Sequence, residues 1–181
     1  MKVIKTEFDE VKIIEPVYHE DFRGYYCETY SRKTLLEHNI DIIFSQDNHS
    51  FTHKKGTIRG IHFQNNPFPQ TKLVRCTRGL IIDVVVDLRK TSKTYKKFII
   101  VELSEQNKRQ ILIPCGFGHA FLTMSDNTEV LYKVDNYYDK NLDRSIIWND
   151  PEINIPWPIS TPILSDKDRN APTLANSDVN F

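Results

Sequence analysis

Two short segments carry the residue types best suited to moving protons. In Gly56-Thr57-Ile58-Arg59-Gly60-Ile61-His62-Phe63-Gln64 and in Pro114-Cys115-Gly116-Phe117-Gly118-His119, a histidine follows closely on glycines. Glycine lets the backbone turn tightly or approach a ligand. Imidazole titrates near neutral pH, so it can accept and return a proton or bind a metal. Taken singly, the neighbouring candidates have ordinary explanations too. His62 alone reads as readily as a satisfied strand residue. Arg59 and Lys72 read as solvated charges, and Tyr132 as a half-buried strand tyrosine with its hydroxyl at the rim. Asp168 fits a turn or helix cap, because Ser165-Asp166-Lys167-Asp168 has the Ser-x-x-Asp pattern.

These residues need a scaffold, and the chain is long enough to supply one. It has 181 residues, with 24 Lys+Arg balancing 24 Asp+Glu, and 39% hydrophobic and 27% charged residues. That is a prior for a single globular domain over residues 1–181. Zero net charge argues against binding nucleic acid or a membrane surface by bulk attraction. No apolar run is long enough for a membrane span, and Met1–Glu7 lacks the apolar centre of a signal peptide. Cys27, Cys76 and Cys115 form no close pair and read as bystander thiols, which with the preceding features points to the cytoplasm. Ser31 followed by Arg32–His38 predicts one early helix. Runs 73–77, 80–88, 98–103, 110–114 and 128–134 predict strands, with a turn at Ser125-Asp126-Asn127. Many short strands without alternating long helices predict an all-β sandwich or barrel. Residues 150–181, rich in proline, are expected to wrap over that barrel as irregular chain.

Gly-(five residues)-His, and later Pro-x-Gly-x-x-His, resemble the two signature segments of the cupin superfamily. The resemblance implies a cupin jelly-roll β-barrel with a few short helices. Metal-binding cupins use His-x-His and a nearby Glu in the first segment, plus the histidine of the second. Here Gln64 replaces the second histidine, and Phe68 and Pro69 stand at the Glu positions. His62 and His119 alone are a poor ligand set for zinc or non-haem iron. The expectation is therefore acid–base chemistry with neither metal nor cofactor.

A closer resemblance runs from about Asp21 to Leu174. It includes Asp21-Phe22-Arg23-Gly24, Gln46-Asp47-Asn48, Ile58–Gln64, Lys72–Arg75, Asp83–Arg89, Ile113–Phe121, Tyr132-Lys133, Ile147–Pro151 and Leu164–Asp168. By these segments the chain resembles the dTDP-4-dehydrorhamnose 3,5-epimerases. The resemblance implies a substrate in which a C4 ketone acidifies the hydrogens at C3 and C5 of a nucleoside-diphosphate 4-keto-6-deoxy sugar. Inversion needs a base on one face, an acid on the other, and a cation near the enolate oxygen. It assigns His62 as the base, Asp168 as its partner, Lys72 as the cation and Tyr132 as the acid. Tyr138 is a second aromatic hydroxyl in the family site, and six residues of regular strand would put it on the face of Tyr132. Arg23, Arg59 and His119 become sugar and diphosphate contacts. Glu28, Gln46 and Asn48 become nucleotide contacts, and Asp143 and Lys167 further substrate contacts. Asp143 stands where many members carry Glu, and Tyr25-Tyr26 where phenylalanines are usual. The resemblance also implies a homodimer in which Arg23 and Glu28 serve the neighbouring subunit.

Other readings of the same residues stand beside this one. They are a C3-only epimerase, an epimerase of another nucleotide sugar such as a GDP-linked 4-keto heptose, a 3,4-ketoisomerase and a catalytically silent sugar-binding cupin. With Arg23, Arg59, Lys72 and Lys167 gathered around a diphosphate, overall neutrality predicts compensating acidic residues elsewhere on the molecule.

Overall fold

The computed structural model describes residues 1–181. Short runs of β-branched and aromatic residues, broken by turns, form thirteen strands. Six make one sheet in the order β1 (Lys2–Lys5), β2 (Lys12–Glu15), β10 (Gln110–Ile113), β7 (Lys72–Arg78), β12 (Thr128–Val134) and β5 (Gln46–Thr52). Five make the second, in the order β13 (Asp143–Ser145), β6 (Ile58–Gln64), β11 (Phe117–Thr123), β8 (Leu80–Asp87) and β9 (Phe98–Ser104). A separate hairpin joins β3 (Tyr18–Asp21) to β4 (Gly24–Cys27). Neighbouring strands pair antiparallel throughout both sheets, giving the two-sheet jelly roll expected.

The period of two along each strand sorts residues between faces. Val74, Cys76, Ile81, Val85, Leu103, Ile111, Phe117, Phe121 and Val130 come from both sheets and form one buried cluster between them. Each such side chain contributes about 1.5–3 kcal/mol of burial. The alternate residues Val84, Val86, Ala120, Ile61 and Phe63 face outward and are covered by Ile153, Ile155, Leu174 and Val179. The proline-rich tail is thus the outer cover of the five-stranded sheet. Asp150, itself buried, anchors that tail by accepting bonds from the N–H groups of Glu152, Ile153 and Leu174.

On the outer face of the six-stranded sheet, Ile14, Leu73 and Leu112 pack against Leu35 of helix α1 (Arg32–Leu36). Ser31 caps that helix as expected, though it ends at Leu36, short of His38. A second short helix, α2 (Asp166–Arg169), sits in the tail. No helix is long and apolar enough to cross a membrane.

Candidate active site

Strand parity delivers polar residues to the interior at one end of the sandwich. Lys72 lies two residues before the inward Val74, and Tyr132 two after the inward Val130. Asn48 pairs with Tyr132 and Ser50 with Val130. His62 sits between the outward Ile61 and Phe63, while His119 sits between the inward-facing Phe117 and Phe121 positions. Ser50, Arg59, His62, Lys72, His119, Phe121 and Tyr132 line one cavity of about 190 Å³. His62 and His119 are directly paired across β6 and β11, and the register shifts just beyond, between His119 and Phe121. Gly60 makes this approach possible. Its φ is +128°, and a Cβ there would stand 2.5 Å from Ala120 Cβ and 2.6 Å from the His119 carbonyl oxygen.

His62 Nε2 is 2.5 Å from Asp168 Oδ1. The imidazole is 31% exposed and the carboxylate 3%. Burial pushes the His62 pKa down, the Asp168 carboxylate pulls it up, and burial prevails. The imidazole is therefore neutral near pH 7, the state a base requires. For Asp168, burial opposes ionisation, but the bond to His62 and its charge hold the pKa below the usual value. Ser165 Oγ accepts the Asp168 N–H at 3.1 Å. Asp168 thus belongs to the helix cap through its backbone while its carboxylate is free to face His62. With Asp168 engaging Nε2, the other ring nitrogen is left to take a proton.

Lys72 is buried, and burial lowers its pKa to about 8, partly countered by the charges of Asp143 and Asp83. Burial raises the Tyr132 pKa, keeping that phenol protonated. Arg59 is fixed by bonds from Nε to Thr52 Oγ1 (3.1 Å) and from Nη2 to the Phe51 carbonyl (3.3 Å). His119 Nε2 is 2.7 Å from Oδ2 of the fully buried Asp83, whose Oδ1 has no partner.

A second cluster lies beside the cavity. Tyr138 Oη donates to Asp143 Oδ2 at 3.2 Å, and Lys167 Nζ meets the same oxygen at 2.5 Å. Gln46 Oε1 accepts the Tyr138 N–H at 3.3 Å, and Gln46 Nε2 donates to Asn48 Oδ1 at 2.7 Å. The even-spacing argument for Tyr138 fails, because β12 ends at Val134 and Tyr138 belongs to the following loop. Only loop and side-chain bonds, rather than strand parity, bring it to Asp143.

Arg23 and Glu28 stand apart from this cavity within the chain. Arg23 is exposed at the β3–β4 turn and pairs with Asp21 at 2.5 Å, and Glu28 borders a different surface hollow. Phe22 beside them is 98% exposed. The charge expectation needs correction as well. Asp83, Asp143 and Asp168 are the neighbours of Lys72, His62 and Lys167, so much of the compensating negative charge lies within the site rather than on the exterior.

The reading from sequence passed over Asp83, Ser50 and Phe121. Asp83 carried a signal: a carboxylate inside the run Ile81-Ile82-Asp83-Val84-Val85-Val86, at an inward position, needs a partner when buried. Gln64, which stands where a metal-binding cupin has its second histidine, is 3% exposed and bonds to the Phe68 and Tyr137 carbonyls and the Asp139 N–H.

The family model described as dTDP-4-dehydrorhamnose 3,5-epimerase matches residues 5–176. A dTDP-4-dehydrorhamnose 3,5-epimerase from Shigella flexneri is 46% identical over 179 residues, 98% of each chain. The crystal structure of a Bacillus anthracis dTDP-4-dehydrorhamnose 3,5-epimerase with TDP and pyrophosphate bound has a TM-score of 0.93 and 49% identity. It covers 95% of this chain and 98% of that one. A Legionella pneumophila dTDP-6-deoxy-D-glucose-3,5-epimerase in complex with dTDP-4-keto-L-rhamnose has a TM-score of 0.93 and 40% identity, covering 98% and 94%.

Proposed function

The chain belongs to the dTDP-4-dehydrorhamnose 3,5-epimerase family and is a nucleotide-sugar isomerase, and we propose that the His62–Asp168 cavity is where its proton transfers occur. The substrate read here is a dTDP-linked 4-keto-6-deoxy sugar, in keeping with the TDP and dTDP-4-keto-L-rhamnose bound to the two solved relatives. Neutral His62 removes the proton α to the ketone, and Asp168 stabilises the imidazolium that results. The Lys72 ammonium, directed into the same cavity, stabilises the enolate oxygen at C4. Tyr132, held protonated across the cavity from His62, returns a proton to the opposite face. Tyr138 supplies a second hydroxyl at the cavity mouth. Arg59 and His119 contact the sugar and diphosphate, Gln46 and Asn48 the nucleotide, and Asp143 and Lys167 flank the substrate. The single observation that carries this assignment is the 2.5 Å pairing of His62 with buried Asp168 in a cavity that also holds Lys72 and Tyr132.

The exposed hairpin is read as an intersubunit arm. In a homodimer it would deliver Arg23 and Glu28 to the neighbouring site, and Phe22 would be covered there. The 181 residues are read as one domain working in the cytoplasm, with neither nucleic acid nor membrane as a partner. The deciding experiment is NMR in heavy water with a panel of 4-keto nucleotide sugars. Deuterium entering at both C3 and C5 supports the reading, and entry at C3 alone would make this a single epimerase. Absence of label with every substrate would defeat the catalytic assignment. Thermal shifts with dTDP, GDP, CDP and UDP test the base, with dTDP expected to stabilise most.

A further inference from the structure

Tyr138 occupies a loop, and a hydroxyl on a loop is useful to chemistry only if something holds it. The side chain that does so comes from the strand of the catalytic base. Gln64 lies two residues after His62 on the same face of β6, and it is almost completely buried. Its Nε2 donates to the Phe68 carbonyl at 2.5 Å and to the Tyr137 carbonyl at 3.1 Å, while Oε1 accepts the Asp139 N–H at 2.9 Å. The Tyr137 carbonyl belongs to the peptide unit before Tyr138 and the Asp139 N–H to the unit after it. One primary amide therefore holds both peptide units attached to the Tyr138 Cα, and so constrains both of its backbone torsions. A buried amide with both donors and its acceptor engaged is costly to replace by an apolar group, because the loop groups left behind lose their partners.

The surrounding contacts act in the same sense. Gln70 Nε2 donates to the Asn136 carbonyl and Asn136 Nδ2 to the Pro69 carbonyl, which ties the loop after β6 to the loop after β12. Asp143, paired in register with Gln64, receives the Tyr138 hydroxyl. Tyr137 and Tyr138 are 72% and 56% exposed, so little apolar burial holds this loop in place. Its geometry rests on these polar bonds.

We propose that Gln64 is a positioning residue: it locks the Tyr138 loop to the His62 strand, so that base and second hydroxyl are set by one rigid element. The assignment rests on the epimerase reading of the cavity.

The test is a double-mutant cycle on kcat/KM with the dTDP-linked 4-keto-6-deoxy sugar, joined to amide hydrogen exchange. Gln64→Met should lower kcat/KM about tenfold in the wild-type background, as expected for a modest loss of alignment. In the Tyr138→Phe background the same change should cost less than about twofold, because its target is already gone. The Asp139 amide should exchange faster in Gln64→Met while strand amides of β6 keep their protection. Gln64→Asn, which keeps both donors and the acceptor on a side chain one methylene shorter, should show a smaller loss with the same dependence on Tyr138; it serves if Gln64→Met does not fold. Equal losses in both backgrounds, or unchanged exchange at Asp139 in an active variant, would overturn the clamp alone. A wild-type protein that never turns over the sugar would overturn the epimerase reading and this assignment with it.

Discussion

Asp168 Oδ1 stands 2.5 Å from His62 Nε2, although the two residues are 106 positions apart in the chain. The tail that carries Asp168 is held on the sheet by burial of Ile153, Ile155 and Leu174 and by the Asp150 anchor. The His62–Asp168 pairing thus depends on how a proline-rich segment packs.

Asp168→Asn keeps the size of that side chain and removes its charge. The imidazolium then loses its stabilising partner, and the ring can bind in the wrong tautomer. The expected outcome is a fall in kcat of about 10³-fold or more, with dTDP binding nearly unchanged. His62→Asn should abolish deuterium entry at both carbons. Single-turnover kinetics and thermal shifts with dTDP check both variants.

Tyr132→Phe removes the proposed acid but leaves base and cation in place. Proton wash-out should continue while correct reprotonation fails, so label enters faster than inverted product forms. Normal rate and stereochemistry in this variant would transfer the acid role to Tyr138. Comparing exchange with product composition by NMR makes the distinction.

The pH profile follows from two opposite requirements. His62 must be neutral, and its pKa lies below the ordinary histidine value, so activity falls only as pH drops through that lowered pKa. Lys72 must be charged, and its pKa is about 8, so activity falls again as pH rises past about 8. Tyr132, whose pKa is raised above its usual value of 10.0, stays protonated across this range. Lys72→Arg should shift or remove the alkaline limb, whatever its effect on rate, because guanidinium keeps its charge. A pH–kcat/KM series on the two proteins tests the assignment.

Lys72 also predicts a conflict between stability and function. Its pKa is lowered on folding, from 10.5 to about 8, so the unfolded chain binds more protons between those values. The folded state therefore carries a penalty that is complete below about pH 8 and disappears as pH rises toward 10.5. Lys72→Met should raise Tm at pH 7, by an amount corresponding to at most about 3 kcal/mol. The attraction of Asp83 and Asp143 for the ammonium is already contained in that lowered pKa. The gain should shrink steadily in melts from pH 8 to 10.5, and turnover should be lost. A lower Tm at pH 7 would show that Lys72 is needed to offset those carboxylates.

A dimer with exchanged arms predicts complementation. Arg23→Ala and His62→Asn should each be inactive or nearly so alone. After unfolding and refolding together at equal amounts, half the dimers are mixed and each mixed dimer has one intact site. About a quarter of wild-type activity should return. No recovery beyond the sum of the separate variants would place Arg23 in its own subunit's site or in none.

Much of this protein was legible in its residues. The β-branched runs at 73–77, 80–88 and 128–134 became β7, β8 and β12, because alternation between faces is a local property of extended backbone. Gly60 before His62 suggests a tight turn or the approach of a ligand; the fold uses it instead for the close approach of β6 to β11. The roles expected of Lys72, Tyr132 and His62 come from the family resemblance and not from local alternation: Lys72 and Tyr132 stand on the six-stranded sheet and His62 on the five-stranded one.

What the tertiary structure decided was which distant groups meet in the cavity between the sheets. The pairing of His119 with Asp83 depends on register between β11 and β8, where one step either way would turn the carboxylate out of the interior. Tyr138 reached the site despite the end of β12, because Gln64, Gln46 and Asp143 hold its loop. Arg23 and Glu28 remained on an exposed hairpin, away from the cavity of their own chain. Sequence by itself determined strands β7, β8, β9, β10 and β12 and the chemical types available. The meeting of those types was set by register and by apolar burial far along the chain, which no local pattern encodes.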